Sequence, residues 1–462
     1  MDRFHGGRTI CSFIDDEKKA MYESTANASV LDTCHNNQLS VNMDQADCEA
    51  WLSLSASEAL VAAPPSPESP WLKSPLRSPS TSLFYRCVAS LHRLDEHIYS
   101  VGIGKGVVFT SSESRRIRVW SKHECAERGS IKVKSGQIRS VLVQGHTVFT
   151  AHKDYKIRMW RFSSSQPADR FHVEKILTIP KRNSLFPFLL SSSEQSAHKD
   201  CISCMAYYNM EGLLYTGSWD KTIRVWNIRE RICQDVIAAH EDKINSILIN
   251  QEDGSIFSCS SDGSIKIWRR VCGEKFHTLI MTLRYQHCPV NALGWSSAID
   301  KPSMLYSGSS DGLISLWVKE KNSTRFSHGG LLQGHSLNIL CLTAIGNVVF
   351  SGSEDMTIRV WKRGGGPGYW IHECLAVLEG HRGPVKCLAA CLDTEKVVAN
   401  EFVLYSGGLD QSLKVWRIGV SADETGKTAD EQPHRASVDV PHCKEGAVLS
   451  PAWVELKLRG EI

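Results

Sequence analysis

The feature that most limits what this chain can fold into is a phrase repeated seven times, a run of alternating apolar residues closed by a tryptophan. It reads "SSESRRIRVW" to Trp120, "AHKDYKIRMW" to Trp160, "TGSWDKTIRVW" to Trp226, "SSDGSIKIW" to Trp268, "SSDGLISLW" to Trp317, "GSEDMTIRVW" to Trp361 and "GGLDQSLKVW" to Trp416. Six copies place an aspartate six residues before the tryptophan: Asp154, Asp220, Asp262, Asp311, Asp355 and Asp410; the first has Ser114 there. Four residues earlier all seven carry a hydroxyl, namely Thr110, Thr150, Thr216, Ser258, Ser307, Ser351 and Ser406. Five copies also have an upstream histidine that opens an apolar alternating run: His198, His240, His287, His335 and His381. The first two copies have only Leu94 and Lys134 near that place.

Alternating apolar residues mark strands, and a period near 40 residues marks an array of small sheets, each unable to bury its apolar face alone. The polar residues of the phrase fit such sheets. A buried polar side chain costs free energy unless hydrogen-bonded, and a relay from tryptophan N–H to hydroxyl, to histidine, to turn aspartate would satisfy each member. Five copies are expected to form complete sets: His198–Thr216–Asp220–Trp226, His240–Ser258–Asp262–Trp268, His287–Ser307–Asp311–Trp317, His335–Ser351–Asp355–Trp361 and His381–Ser406–Asp410–Trp416. The first two copies would depend more on apolar packing.

In this pattern the chain resembles the WD40-repeat family. The resemblance covers residues from about 84 to 418 and implies an all-β, seven-bladed WD40 β-propeller. The family's terminal Trp-Asp pair is absent, the tryptophans being followed by Ser, Arg, Asn, Arg, Val, Lys and Arg. Residues 83–418 are assigned to the propeller, flanked by a disordered N-terminal tail at 1–82 and a polar C-terminal tail at 419–462. The segment "LFYRCVAS" (83–90) has a strand's composition and is expected to supply the outer strand of the seventh blade, removing an open sheet edge. Successive tryptophans are 40, 66, 42, 49, 44 and 55 residues apart, so two blades carry insertions. The larger contains "KRNSLFPFLLSSSEQS", whose apolar centre either tucks against the ring or forms a partner-binding ridge.

Composition narrows the functional classes. Lys+Arg 53 against Asp+Glu 50 gives a net charge of +3, and no basic stripe stands out, so direct nucleic-acid binding is not expected. Sixteen scattered cysteines, several inside apolar runs (Cys204, Cys259, Cys341, Cys387), suit a reducing compartment. The opening "MDRFHGGRTICSFIDDEKKAMYE" lacks an apolar signal core, and no long apolar stretch suggests a membrane span. The expectation is a cytoplasmic or nuclear, monomeric propeller.

Several signals of chemistry dissolve into the repeat. His198, Cys201 and Cys204 have zinc-like spacing, but no second ligand pair follows, and His198 fits the repeated histidine position. Serine, histidine and aspartate recur as a set five times, which describes a scaffold rather than one nucleophile with its base. The glycine-rich "KRGGGPGYW" (362–370) lacks the Gly-Lys-Ser/Thr ending of a phosphate loop. Basic residues two before six of the tryptophans (Arg118, Arg158, Arg224, Lys266, Arg359, Lys414) read as scaffold. No catalytic, cofactor or metal site is expected.

What remains is surface. The resemblance implies that residues flanking each blade's first strand, and those before the turn aspartates, crowd one mouth of the central channel. Those residues are Gln137, Arg139, Lys153, Trp219, Lys243, Asn245, Asn291, Glu354 and Lys386. Trp219 either anchors a partner or packs on a neighbouring blade. Ser66, Ser69, Ser74 and Ser78 precede prolines and suit proline-directed phosphorylation. The layout resembles plant JINGUBANG-type WD40 proteins, which implies a regulatory scaffold for protein partners, transcription factors included. The alternative is a substrate receptor of a cullin-type ubiquitin ligase. Its adaptor contact, a Trp-Asp-x-Arg ending, is approached by Trp226, Asn227, Ile228 and Arg229, with asparagine in place of aspartate.

Overall fold

A computed structural model describes residues 83–420, except 93–96, 123, 134–135, 164–171, 181–196, 271–273, 286, 299–300, 321–322, 365–370 and 394–400, together with 448–449. The four Ser-Pro serines, the apolar "LFPFLL" and the glycines after Gly364 lie outside the described residues. Every regular element described is a strand. None is a helix long and apolar enough to cross a membrane.

The strands form seven antiparallel sheets, six of them built in chain order from the centre outward. Blades one to six comprise residues 98–132, 138–179, 202–238, 244–283, 290–332 and 339–378. First strands of successive blades lie beside one another, and that of blade seven (Val385–Leu392) meets that of blade one (Ile98–Ile103), so the ring closes. Repeated side-chain character explains the geometry. Second strands such as Val107–Ser112, Leu213–Ser218 and Val348–Ser353 are buried at every position, because both faces of each blade are covered by neighbours. Each apolar cluster therefore spans two blades. Val107, Phe109 and Ile117 of blade one pack with Val148, Trp160 and Phe162 of blade two, and the cluster of Ile98, Trp120, Tyr405 and Val415 joins blade one to blade seven.

Blade seven is assembled from both ends of the ring. Strands Val385–Leu392, Glu401–Gly408 and Ser412–Val420 are completed by Leu83–His92 on the outside, paired from Leu83 opposite Val420 to His92 opposite Ser412 with a register shift between Cys87 and Ala89. Lys414 Nζ donates to Ser90 Oγ at 2.6 Å across this seam. Blade five gains a fifth strand from the C-terminal region, where Leu449 and Val448 pair with Leu331 and Leu332.

Candidate interaction surfaces

The polar phrase forms a complete relay in four blades. In blade three, Trp226 Nε1–H donates to Thr216 Oγ1 at 2.9 Å, Thr216 lies 2.7 Å from His198 Nε2, and His198 Nδ1 lies 2.9 Å from Asp220 Oδ2. Asp220 also accepts from the backbone N–H groups of Lys199 and Thr222, which ties the loop before the first strand to the hairpin between the second and third. The same relay runs through His240, Ser258, Asp262 and Trp268, through His335, Ser351, Asp355 and Trp361, and through His381, Ser406, Asp410 and Trp416.

Blade five corrects the sequence reading. Trp317 still donates to Ser307 at 2.9 Å, but His287 is exposed and joins neither Ser307 nor Asp311, which instead takes Ser309 Oγ and the Leu313 N–H. The reason is spacing. Each complete relay has its histidine four residues before the first strand, as His198 before Ile202, whereas His287 stands only three before Val290. A cavity of about 20 Å³ lined by Tyr285, Cys288, Ser307, Ser309 and Trp317 occupies that part of the blade, room for one water. His328 of the outer strand stacks on Tyr285 at 4.2 Å and meets the edge of Trp317.

Blade two carries a relay that the sequence reading missed. His152, two residues beyond Thr150 on the same strand face, lies 2.8 Å from Thr150 Oγ1 by its Nε2, and Trp160 donates to Thr150 at 2.9 Å. The period-two alternation of a strand was the available signal. Asp154 pairs there with Arg158 at 2.6 Å. In blade one Ser114 does the aspartate's capping work, accepting from the Arg116 N–H at 3.2 Å.

Burial pushes His198 and His335 below their ordinary 6.5, against the pull of Asp220 and Asp355, and lowers His328 to about 4. Burial alone would raise the Asp220, Asp262, Asp355 and Asp410 carboxyls, but the histidines and the hairpin donors hold all four below the usual 3.8. In both cases the unfolded chain binds more protons, so stability falls as pH falls. The histidine contribution is fully present above pH 6.5 and declines from there towards pH 4; the aspartate contribution is present above pH 3.8 and is lost below it. Thermal midpoints measured against pH are expected to fall in those two stages, and a midpoint unchanged between about pH 7 and 4.5 would contradict the assignment.

The zinc-like run is committed to the blade itself. His198 is engaged by Asp220 and Thr216, and burial pushes the Cys204 thiol up to about 12, far from a metal-binding thiolate. No group of three metal-ligating residues occurs among the described residues. The basic residues before the tryptophans tie strands together: Arg118 pairs with Glu127, Lys266 donates to the Ala239 carbonyl, and Lys414 reaches Ser90.

One mouth of the ring is built from the loops before the first strands and the hairpins between second and third strands. The residue before each turn aspartate donates its N–H to the loop: Lys153 to Gln137, Trp219 to Cys201, Ser261 to Lys243, Glu354 to Asn338. This brings together the blade-two, blade-three and blade-four candidates Gln137, Lys153, Trp219 and Lys243. Lys243 Nζ sits 5.0 Å from the Trp219 ring centroid, and the Arg139 guanidinium 5.0 Å from that of Tyr99. Lys153 is exposed, while Gln137, Arg139, Trp219, Lys243, Glu354 and Lys386 are half-buried. Asn245 and Asn291 have a different role. Asn245 Nδ2 donates to the Val290 carbonyl at 2.9 Å and Asn291 Nδ2 to the Ile339 carbonyl at 3.0 Å, so these amides staple blade four to five and five to six.

Because neighbouring strands are antiparallel, the hairpin after Trp226 emerges at the opposite mouth. Trp226 is 2% exposed and locked in its relay, which removes it from any adaptor contact. Asn227 Oδ1 accepts from the N–H groups of Arg229 and Glu230, and the Arg229 side chain is exposed.

The WD40 family model (WD domain, G-beta repeat) matches residues 190–227, 231–269, 327–362 and 372–417. These are the segments that hold the four complete relays. Among curated relatives, an uncharacterised WD repeat-containing protein of Schizosaccharomyces pombe is 25% identical over 48% of this chain and 66% of its own length. The WD repeat-containing protein pop2 of the same organism is 30% identical over 37% of this chain and 21% of its own length. Zinc finger CCCH domain-containing protein 62 of Arabidopsis thaliana is 27% identical over 38% of this chain and 40% of its own length. The chain thus spans between 21% and 66% of the length of these relatives. Four segments that match the WD40 model lie in a ring of seven blades that all share the tryptophan–hydroxyl bond, so this is a seven-bladed β-propeller that carries WD40 repeats in four of its blades.

Proposed function

We propose that this chain is a non-enzymatic scaffold that binds other proteins at the mouth carrying Trp219, as a regulatory adaptor in signalling or transcriptional control. Trp219 is the observation that supports the reading. Asp220 beside it is engaged in the relay, but the indole is half-exposed with a lysine ammonium over its face, and an amphipathic aromatic of this kind is a favoured interface anchor. The resemblance to plant JINGUBANG-type proteins favours transcription factors among the partners and a cytoplasmic or nuclear location. The test is affinity purification with mass spectrometry, comparing the intact chain with Trp219→Ala. At least one partner is expected to be lost or weakened about tenfold or more, with the thermal midpoint preserved; full retention of every partner would remove Trp219 from the interface.

The exposed Arg229 supports a second reading, as substrate receptor of a cullin-type ubiquitin ligase. It requires co-purification of the ligase adaptor, abolished by Arg229→Ala at the mouth opposite Trp219.

A further inference from the structure

The whole-chain charge of +3 conceals an uneven distribution. Residues 83–182 hold the closing strand with blades one and two, and carry 19 lysines and arginines against 8 aspartates and glutamates, whereas residues 183–420 carry 23 of each. Part of this excess lies on the mouth described above. The blade-one hairpin presents exposed Arg115 and Arg116, and Arg116 stands directly across the strand pair from exposed Lys132. Like charges so placed destabilise a strand pair, and none of these three has an ion-pair partner among the described residues. The neighbouring blade-two hairpin adds exposed Lys153 and half-buried Lys156. Among the described residues, the acids of these two hairpins are already engaged: Glu113 accepts from the Tyr99 hydroxyl at 2.5 Å, and Asp154 holds the Arg158 guanidinium at 2.6 and 3.0 Å.

The opposed cations disfavour the isolated fold, and no acidic side chain among the described residues offsets them; an anionic occupant would. We propose that the rim of blades one and two, centred on Arg115, Arg116, Lys132 and Lys153, docks an acidic peptide segment of a protein partner. The proposal rests on the scaffold reading and gives it a partner chemistry. A peptide fits better than a nucleic acid. The positive excess ends with blade two, leaving no continuous track for a phosphate backbone.

The test uses the full chain and fluorescence anisotropy. The probes are a labelled glutamate-rich peptide of about twelve residues and a single-stranded RNA of similar length. The peptide is expected to bind, to weaken as salt rises from about 50 to 300 mM, and to lose about tenfold or more in affinity with R115E/R116E, while K275E, an exposed charge reversal on blade four, leaves binding unchanged. K153E, on a separate hairpin, should weaken binding in the same direction and covers the case in which the double variant fails to fold. Absence of peptide binding, tighter binding of the RNA, or equal peptide affinity in folded R115E/R116E or in K153E would overturn the proposal. Partners that survive R115E/R116E but are lost with Trp219→Ala would leave the scaffold reading standing and reject the acidic-segment rim.

Discussion

Removing residues 83–92 is expected to lower the stability of the entire ring by several kcal/mol, beyond any effect of removing residues 1–82 alone. Nine backbone pairs join this strand to Ser412–Val420, at a net of about 0.5–1.5 kcal/mol for each hydrogen bond made there. Its loss would expose the third strand of blade seven as an open edge and uncover Leu413 and Val415, whose cluster links blade seven to blade one. Because every blade is buried against two others, damage at the seam should appear as a lower midpoint for the whole transition rather than as local fraying. Thermal denaturation of chains beginning at residues 83 and 93 checks this; equal midpoints would show that the seam contributes little.

His335→Ala is expected to cost about 2–4 kcal/mol, since it leaves the buried Ser351 hydroxyl and the Asp355 carboxylate without their shared partner. His287→Ala, at the superficially equivalent place in blade five, should change stability by less than about 0.5 kcal/mol because that imidazole is exposed and outside the network. Denaturant unfolding of the two variants side by side reads the contrast. Similar losses in both would mean that blade five contains a relay after all.

The ring and its closing strand were legible because they depend on spacing and alternation, which sequence displays directly. The relay was legible where the same spacing held. His287 misled because a histidine upstream of a strand was counted without its distance from that strand, and a shift of one residue moves the ring from the core to the solvent. His152 was overlooked because it approaches Thr150 from inside the strand rather than from the preceding loop. Asn245 and Asn291 were unreadable in principle: each amide bonds a carbonyl of the next blade, contributed by a strand more than forty residues on. The basic rim disappeared into a chain-wide sum in which blades three to seven add no net charge.

The shared seventh blade also imposes an order on synthesis. The strand Leu83–His92 leaves the ribosome early, but its partner begins only at Ser412, 320 residues after His92. At about 5–20 residues per second, that is a wait of roughly 16–64 seconds. Throughout it Phe84, Tyr85 and Val88 stand on an unpaired strand while six blades are made. A nascent chain of this protein therefore carries a sticky, β-forming segment for as long as the rest of the ring is being made, and its successful production depends on keeping that segment from other chains until the last strand of blade seven emerges.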